Sequence, residues 1–251
     1  MKRTNARLLQ TLDHEYNDGI ISPPSHKRQK YLQAVKKESI ALRSNFTPKS
    51  AGQEYYLSLL NECSITFCAG PAGTGKTWIV TRFALEQLLN HNVSKIVVTK
   101  PILEAGEEEI GFLPGDVADK ILPHFQSVLD CIEDHIGPTM TKKLLDSHQI
   151  EFLPTAYCRG RNLKNAYILI DEAQNLTRKG IKLLLTRIAE GSLMALNGDT
   201  DQTDLPNPQD SGFEWALNCL AGKSPSIGVA ELDYGDIQRH PLIETILTNL
   251  R

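Results

Sequence analysis

Ile65-Thr66-Phe67-Cys68-Ala69-Gly70-Pro71-Ala72-Gly73-Thr74-Gly75-Lys76-Thr77 is the stretch that decides the fold. Ile65–Ala69 is a short apolar run of strand character, Gly70–Thr77 matches G-x-x-x-x-G-K-[ST], and Trp78–Leu89 continues in a helical pattern. Strand, glycine-rich loop and helix in that order predict a phosphate-binding loop (P-loop). Its glycines let backbone N–H groups wrap phosphate oxygens with no Cβ in the way, and the helix N-terminus adds the positive end of its dipole. Gly70, Pro71, Ala72, Gly73, Thr74, Gly75, Lys76 and Thr77 are therefore the candidate nucleotide-binding residues. Lys76 is expected to reach the β- and γ-phosphates and Thr77 to hold magnesium. A merely structural glycine turn is the competing reading, and the flanking strand and helix weigh against it.

Outward from this loop the pattern alternates. Apolar runs at Ile65–Ala69, Lys95–Thr99, Ala166–Ile170, Leu193–Leu196 and Ile227–Leu232 read as strands. Helical patterns fall at Lys76–Asn90, Asp116–Ile136, Arg178–Glu190 and Ser211–Leu220, a helix starts near Gly52–Leu60, and another is expected after Pro241. Continuous apolar strands between helices predict an α/β fold with a mainly parallel sheet covered on both faces. Asp18-Gly19 and Ser22-Pro23-Pro24-Ser25 are turn signals that separate a first short segment from a helical pattern at Lys27–Arg43, and Thr47-Pro48 closes this front appendage.

A P-loop binds a nucleotide; hydrolysis needs an acidic element as well. Ala166–Ile170 runs into Asp171-Glu172, placing Asp171 where it can accept a magnesium-bound water and Glu172 where it can polarise an attacking water. Acidic pairs at strand ends are also common solvated loops, and it is the P-loop upstream that favours the catalytic reading. A later strand ends in Asn197-Gly198-Asp199-Thr200-Asp201-Gln202, where Gln202 is a candidate for the γ-phosphate or the lytic water, against a plain Asx-turn loop. Glu107-Glu108-Glu109 is read as a solvated face, because consecutive glutamates on a helix point in different directions.

Composition excludes several classes. With 41% hydrophobic and 23% charged residues over 251 positions, the chain is neither disordered nor fibrous. Its apolar runs are too short for a membrane span and its start lacks a signal-peptide pattern, so a cytoplasmic protein is expected. The 5 Cys residues have no C-x-x-C spacing, which indicates neither a disulfide framework nor a zinc site. Charge is uneven: residues 1–50 hold 10 Lys and Arg against 4 Asp and Glu, a balance of +6, which leaves 17 against 26, or −9, for residues 51–251. Such a basic front suits nucleic acid or an acidic neighbour, or is simply a solvated helix.

The motifs taken together resemble the PhoH family. They are Gly70–Thr77, Lys100-Pro101, Glu104-Ala105-Gly106-Glu107, Gly111–Asp116, Tyr157–Arg161, Asp171–Asn175, Leu185-Thr186-Arg187, Gly198-Asp199 with Gln202 and Asp204-Leu205-Pro206, Ser211-Gly212, and Arg239-His240-Pro241. The resemblance implies a single RecA-like P-loop ATPase domain over residues 47–251, behind a short basic extension over 1–46. That domain is similar to the first motor domain of superfamily 1 helicases. It implies ATP as substrate, magnesium as cofactor, a homo-oligomeric ring, expected to be a hexamer, and links to phosphate starvation and to RNA metabolism. Arg239 is the first candidate for a γ-phosphate sensor and Arg187 the second. Arg159 and Arg161 are candidates for a neighbour's nucleotide or for RNA or single-stranded DNA. Gln53 resembles the glutamine that reads the adenine edge in related helicases, with a surface helix glutamine as the alternative. Residues 1–50 do not resemble the ribonuclease-like domain of some members, so no nuclease activity is expected. No second motor domain is expected either, which would leave strand translocation to ring neighbours. A nucleotide-ordered protein-interaction module with slow hydrolysis is the rival function, and a kinase the weaker third.

Overall fold

Ser50 starts the first described helix: in extended backbone, its Oγ accepts from the Gln53 N–H at 3.2 Å and so caps α1 (Ala51–Glu62). The computed structural model describes residues 42–43, 46–102 and 121–238. After α1 come β1 (Ile65–Ala69), α2 (Lys76–Leu89), β2 (Lys95–Lys100), α3 (Gln126–Ile136), α4 (Pro138–Asp146) and β3 (Ile150–Pro154). The remaining elements are β4 (Ala166–Ile170), α5 (Arg178–Leu185), β5 (Leu193–Gly198), α6 (Gly212–Leu220) and β6 (Ile227–Glu231). The helices read at Lys27–Arg43 and after Pro241, the start of the one read from Asp116, and Glu107–Glu109 fall mainly or wholly outside the described residues.

The six strands form one parallel sheet in the order β3-β2-β4-β5-β1-β6. This is the mainly parallel α/β architecture that the alternating pattern predicts, and it is a P-loop NTPase-like fold. Every residue of β4 is buried, because a parallel sheet is covered on both faces. Phe67, Ala166, Ile168, Ile170, Met194 and Leu196 pack under α5 and α6, where Phe67 meets Phe213 at a ring-centroid distance of 6.1 Å. On the other face Tyr167 meets Phe83 of α2 edge-on at 5.8 Å. No helix among the described residues is long and apolar enough to cross a membrane.

Two elements escape the periodicity. β3 (Ile-Glu-Phe-Leu-Pro) is an edge strand with a partly exposed middle, and its Glu151 pairs with Lys95 at 2.7 Å and Arg161 at 2.8 Å. Gly137, at φ 82°, stops α3, and Pro138 starts α4 at a position where its missing N–H is not needed. α5 ends at Leu185 rather than Glu190: Ile188 leaves the helix to bridge Leu163, and the Thr186 hydroxyl donates to the Lys182 and Leu183 carbonyls. Because all strands run the same way, the loops after β1, β5 and β4, which are neighbours in that order, gather along one edge of the sheet.

Candidate active site

Gly70 begins the loop by extending the ladder, its N–H donating to the Gly198 carbonyl at 3.2 Å. A Cβ there would lie 2.5 Å from the Leu232 carbonyl oxygen, so the position admits only glycine without movement. Gly75, at φ 87°, turns the chain into α2 and offers no side-chain cap, which leaves the first-turn N–H groups of the helix facing the loop. Lys76 curls over the same loop; its Nζ donates to the carbonyls of Gly70 (2.5 Å) and Pro71 (2.8 Å) and to Thr74 Oγ1 (3.4 Å). Burial lowers the Lys76 pKa, opposed by Cys68 and by the carboxylates of Asp199, Asp171 and Glu172.

Three groups brace the loop from outside. Gln53 Nε2 donates to the Thr74 carbonyl at 2.9 Å, the Ala72 N–H donates to Asp199 Oδ2 at 3.1 Å, and the Gln238 N–H donates to the Gly73 carbonyl at 3.0 Å. Gln53 also accepts from the Lys49 N–H at 2.9 Å through Oε1. Asn197, near the end of β5, accepts from the Tyr56 hydroxyl at 2.7 Å, which gives this buried polar residue a partner.

Across β5 from the loop, the end of β4 brings up the acids. The Asp171 N–H donates to the Thr99 carbonyl at 2.9 Å, and Asp171 Oδ1 accepts from Thr77 Oγ1 at 3.1 Å. Burial, with Glu172 beside it, pushes the Asp171 pKa up to about 6, while Thr77, Lys100 and Lys76 pull the other way. A hydroxyl and a carboxylate at hydrogen-bond distance are hard oxygen donors of the kind magnesium takes, so these residues fit that ion. Glu172 follows at φ 53°, a left-handed conformation that costs a non-glycine residue about 1–3 kcal/mol. Its Oε2 accepts from Gln174 Nε2 at 2.7 Å, and Gln174 Oε1 accepts from the Asp199 N–H at 3.1 Å. Gln174 thus ties the glutamate to the loop after β5, and Asp199 ties that loop to the P-loop.

These groups open on a cavity of about 650 Å³. Gln53, Ala72, Gly73, Gly75, Lys76, Thr77, Asp171, Glu172 and Gln202 all line it; Gly70, Pro71 and Thr74 stand behind as partners of Lys76. Arg187 does not line it: its guanidinium donates to the Leu183 and Arg161 carbonyls, both at 3.1 Å. Arg159 is exposed on the turn after β3, and Arg161 is ion-paired with Glu151. Arg239 lies outside the described residues. Sequence reasoning alone passes over Gln174 and Asp199 as site residues although both stand inside quoted motifs, and it reads Trp78, which lines the cavity with Phe46, as an ordinary helix position.

The family model described as PhoH-like protein matches residues 45–251. A PhoH-like protein of Synechocystis is 40% identical over 199 residues, covering 79% of this chain and 60% of that protein. One of Bacillus subtilis is 39% identical over 220 residues, covering 86% and 68%, and the protein PhoH of Escherichia coli is 36% identical over 201 residues, covering 79% and 56%. The chain therefore spans little more than half to two thirds of the length of these relatives. Among solved structures, the large terminase of a thermophilic bacteriophage superposes with a TM-score of 0.51 at 11% identity, over 82% of this chain and 51% of that one, a likeness of fold. By the extent of the family match and the identities to its members, this chain belongs to the PhoH-like protein family.

Proposed function

We propose that the protein binds magnesium–ATP in this cavity and hydrolyses the terminal phosphoanhydride. The observation that carries the proposal is the 3.1 Å contact between Thr77 and Asp171, which joins the end of the P-loop to the end of the acidic strand across 94 residues of sequence. In this reading Lys76 exchanges its loop carbonyls for β- and γ-phosphate oxygens, and the backbone N–H groups of the loop hold the rest of the triphosphate. Thr77 and Asp171 hold magnesium, which when bound neutralises charge on the phosphates. Glu172 accepts the proton of the attacking water as the water oxygen bonds to the γ-phosphorus and the bond to the bridging oxygen breaks, releasing ADP and phosphate. Gln202 positions that water or the γ-phosphate. Arg239, which follows the Gln238 held at Gly73, serves as γ-phosphate sensor. Arg187, Arg159 and Arg161, none of which lines the cavity, are kept for a neighbouring subunit or for RNA or single-stranded DNA. The homo-oligomeric ring, with six subunits, and the coupling to nucleic acid rest on the family resemblance.

Glu172→Gln tests this directly. Loss of the base is expected to slow phosphate release by roughly 10²–10⁴-fold while ATP still binds, because the amide keeps the side chain's size and its contact with Gln174. Unchanged turnover would remove the enzyme reading. Phosphate release measured with and without single-stranded RNA and DNA then separates a nucleic-acid-coupled ATPase, which either polymer stimulates, from a nucleotide-ordered interaction module, which neither affects.

A further inference from the structure

The triphosphate accounts for the polar wall of the cavity; the rest of the lining includes an aromatic pair. Trp78, the first residue of α2 after the P-loop threonine, and Phe46, ahead of α1, both face it, with ring centroids 5.1 Å apart and planes at 59°. Trp78 is fixed from α3: His135 lies 4.3 Å from it, centroid to centroid, and the His135 Nε2–H donates to the Trp78 carbonyl at 3.1 Å. The indole is thus a preset surface beside the helix N-terminus that holds phosphate. Gln53, the residue that resembles an adenine reader, is only 3% exposed and has both ends of its amide engaged, one on the P-loop carbonyl of Thr74 and one on the Lys49 N–H.

We propose that Phe46 and Trp78 form the base subsite of this cavity, taking the purine of a nucleoside triphosphate by stacking, and that Gln53 braces the P-loop instead of reading the base edge. The inference rests on the cavity being a nucleoside triphosphate site. Stacking tolerates any base, since each has a π-face, and discriminates weakly between two purines. ATP and GTP therefore bind with similar affinity, and the bare triphosphate binds less well than either.

Trp215→Phe leaves Trp78 as the sole survivor of the chain's 2 Trp residues, and Trp215 stands apart, against Arg178 and Lys182. In this background, Trp78 fluorescence is followed on titration with the magnesium complexes of ATP, GTP and tripolyphosphate, and each is also competed against a labelled ATP. The expected result is quenching by both nucleotides with Kd values within about fivefold, and binding of tripolyphosphate without quenching and about tenfold weaker. Phe46→Ala is expected to weaken ATP by about tenfold and leave tripolyphosphate unchanged, with Phe46→Tyr restoring ATP. Equal affinity for ATP and tripolyphosphate, or equal loss of both in Phe46→Ala, would refute the subsite while leaving the phosphate site standing. A hundredfold preference for ATP over GTP would overturn the role given to Gln53. Failure of all three ligands to bind would refute the nucleotide site itself, and the base subsite with it.

Discussion

Gln174 shows how much of the site depends on single side chains that touch no phosphate. Its amide lies between Glu172 Oε2 and the Asp199 N–H, so one residue orients the proposed base and anchors the loop that carries Gln202. Gln174→Leu removes both contacts and leaves Glu172 free to swing, and small misplacements of reacting groups are costly. We expect kcat for phosphate release to fall roughly 10- to 100-fold with little change in KM. An unchanged kcat, or a loss confined to KM, would show that Gln174 is only packing. From sequence this residue is visible as part of Asp171–Asn175 but not as a bridge, since its second partner, Asp199, lies in the loop after another strand. The positions of Lys76, Thr77 and Asp171 are legible because the motif and the strand before it are local.

At the scale of elements, the junction of β1 with the loop is held by a close approach rather than by a side chain. An alanine Cβ at position 70 would lie 2.5 Å from the Leu232 carbonyl oxygen and 2.9 Å from its Cβ, and Leu232 is itself tied to Ala69 by a 2.8 Å backbone hydrogen bond. Gly70→Ala is expected to destabilise the fold by about 1–3 kcal/mol, read from urea denaturation, as β6 is pushed from the end of β1. A variant as stable as the parent would mean that this edge of the sheet yields freely. β1, α2 and β4 can be read in advance because their burial is continuous and their turns carry glycine or acids. β3 cannot, since Glu151 interrupts it and Pro154 ends it, nor can α4, which one glycine separates from α3. The early end of α5 is a tertiary effect, imposed by the pairing of Ile188 with Leu163.

For the molecule as a whole, strand order does what no local signal could announce: β5 lies between β1 and β4, and parallel direction carries the ends of all three to one edge. That arrangement gathers Lys76, Asp171 and Asp199 around one cavity in a body whose balance over residues 51–251 is −9. A polyanionic ligand must therefore be held by local donors against an unfavourable overall field, and the ammonium of Lys76 is the main charged one lining the loop. The sharpest test is isothermal titration of magnesium–ATP into the parent protein and into Lys76→Ala. The alanine variant, folded as judged by its circular dichroism, is expected to lose affinity by about 100-fold or more, the effect of removing a charge-assisted set of hydrogen bonds to phosphate. A Kd within threefold of the parent's would contradict a triphosphate site at this loop.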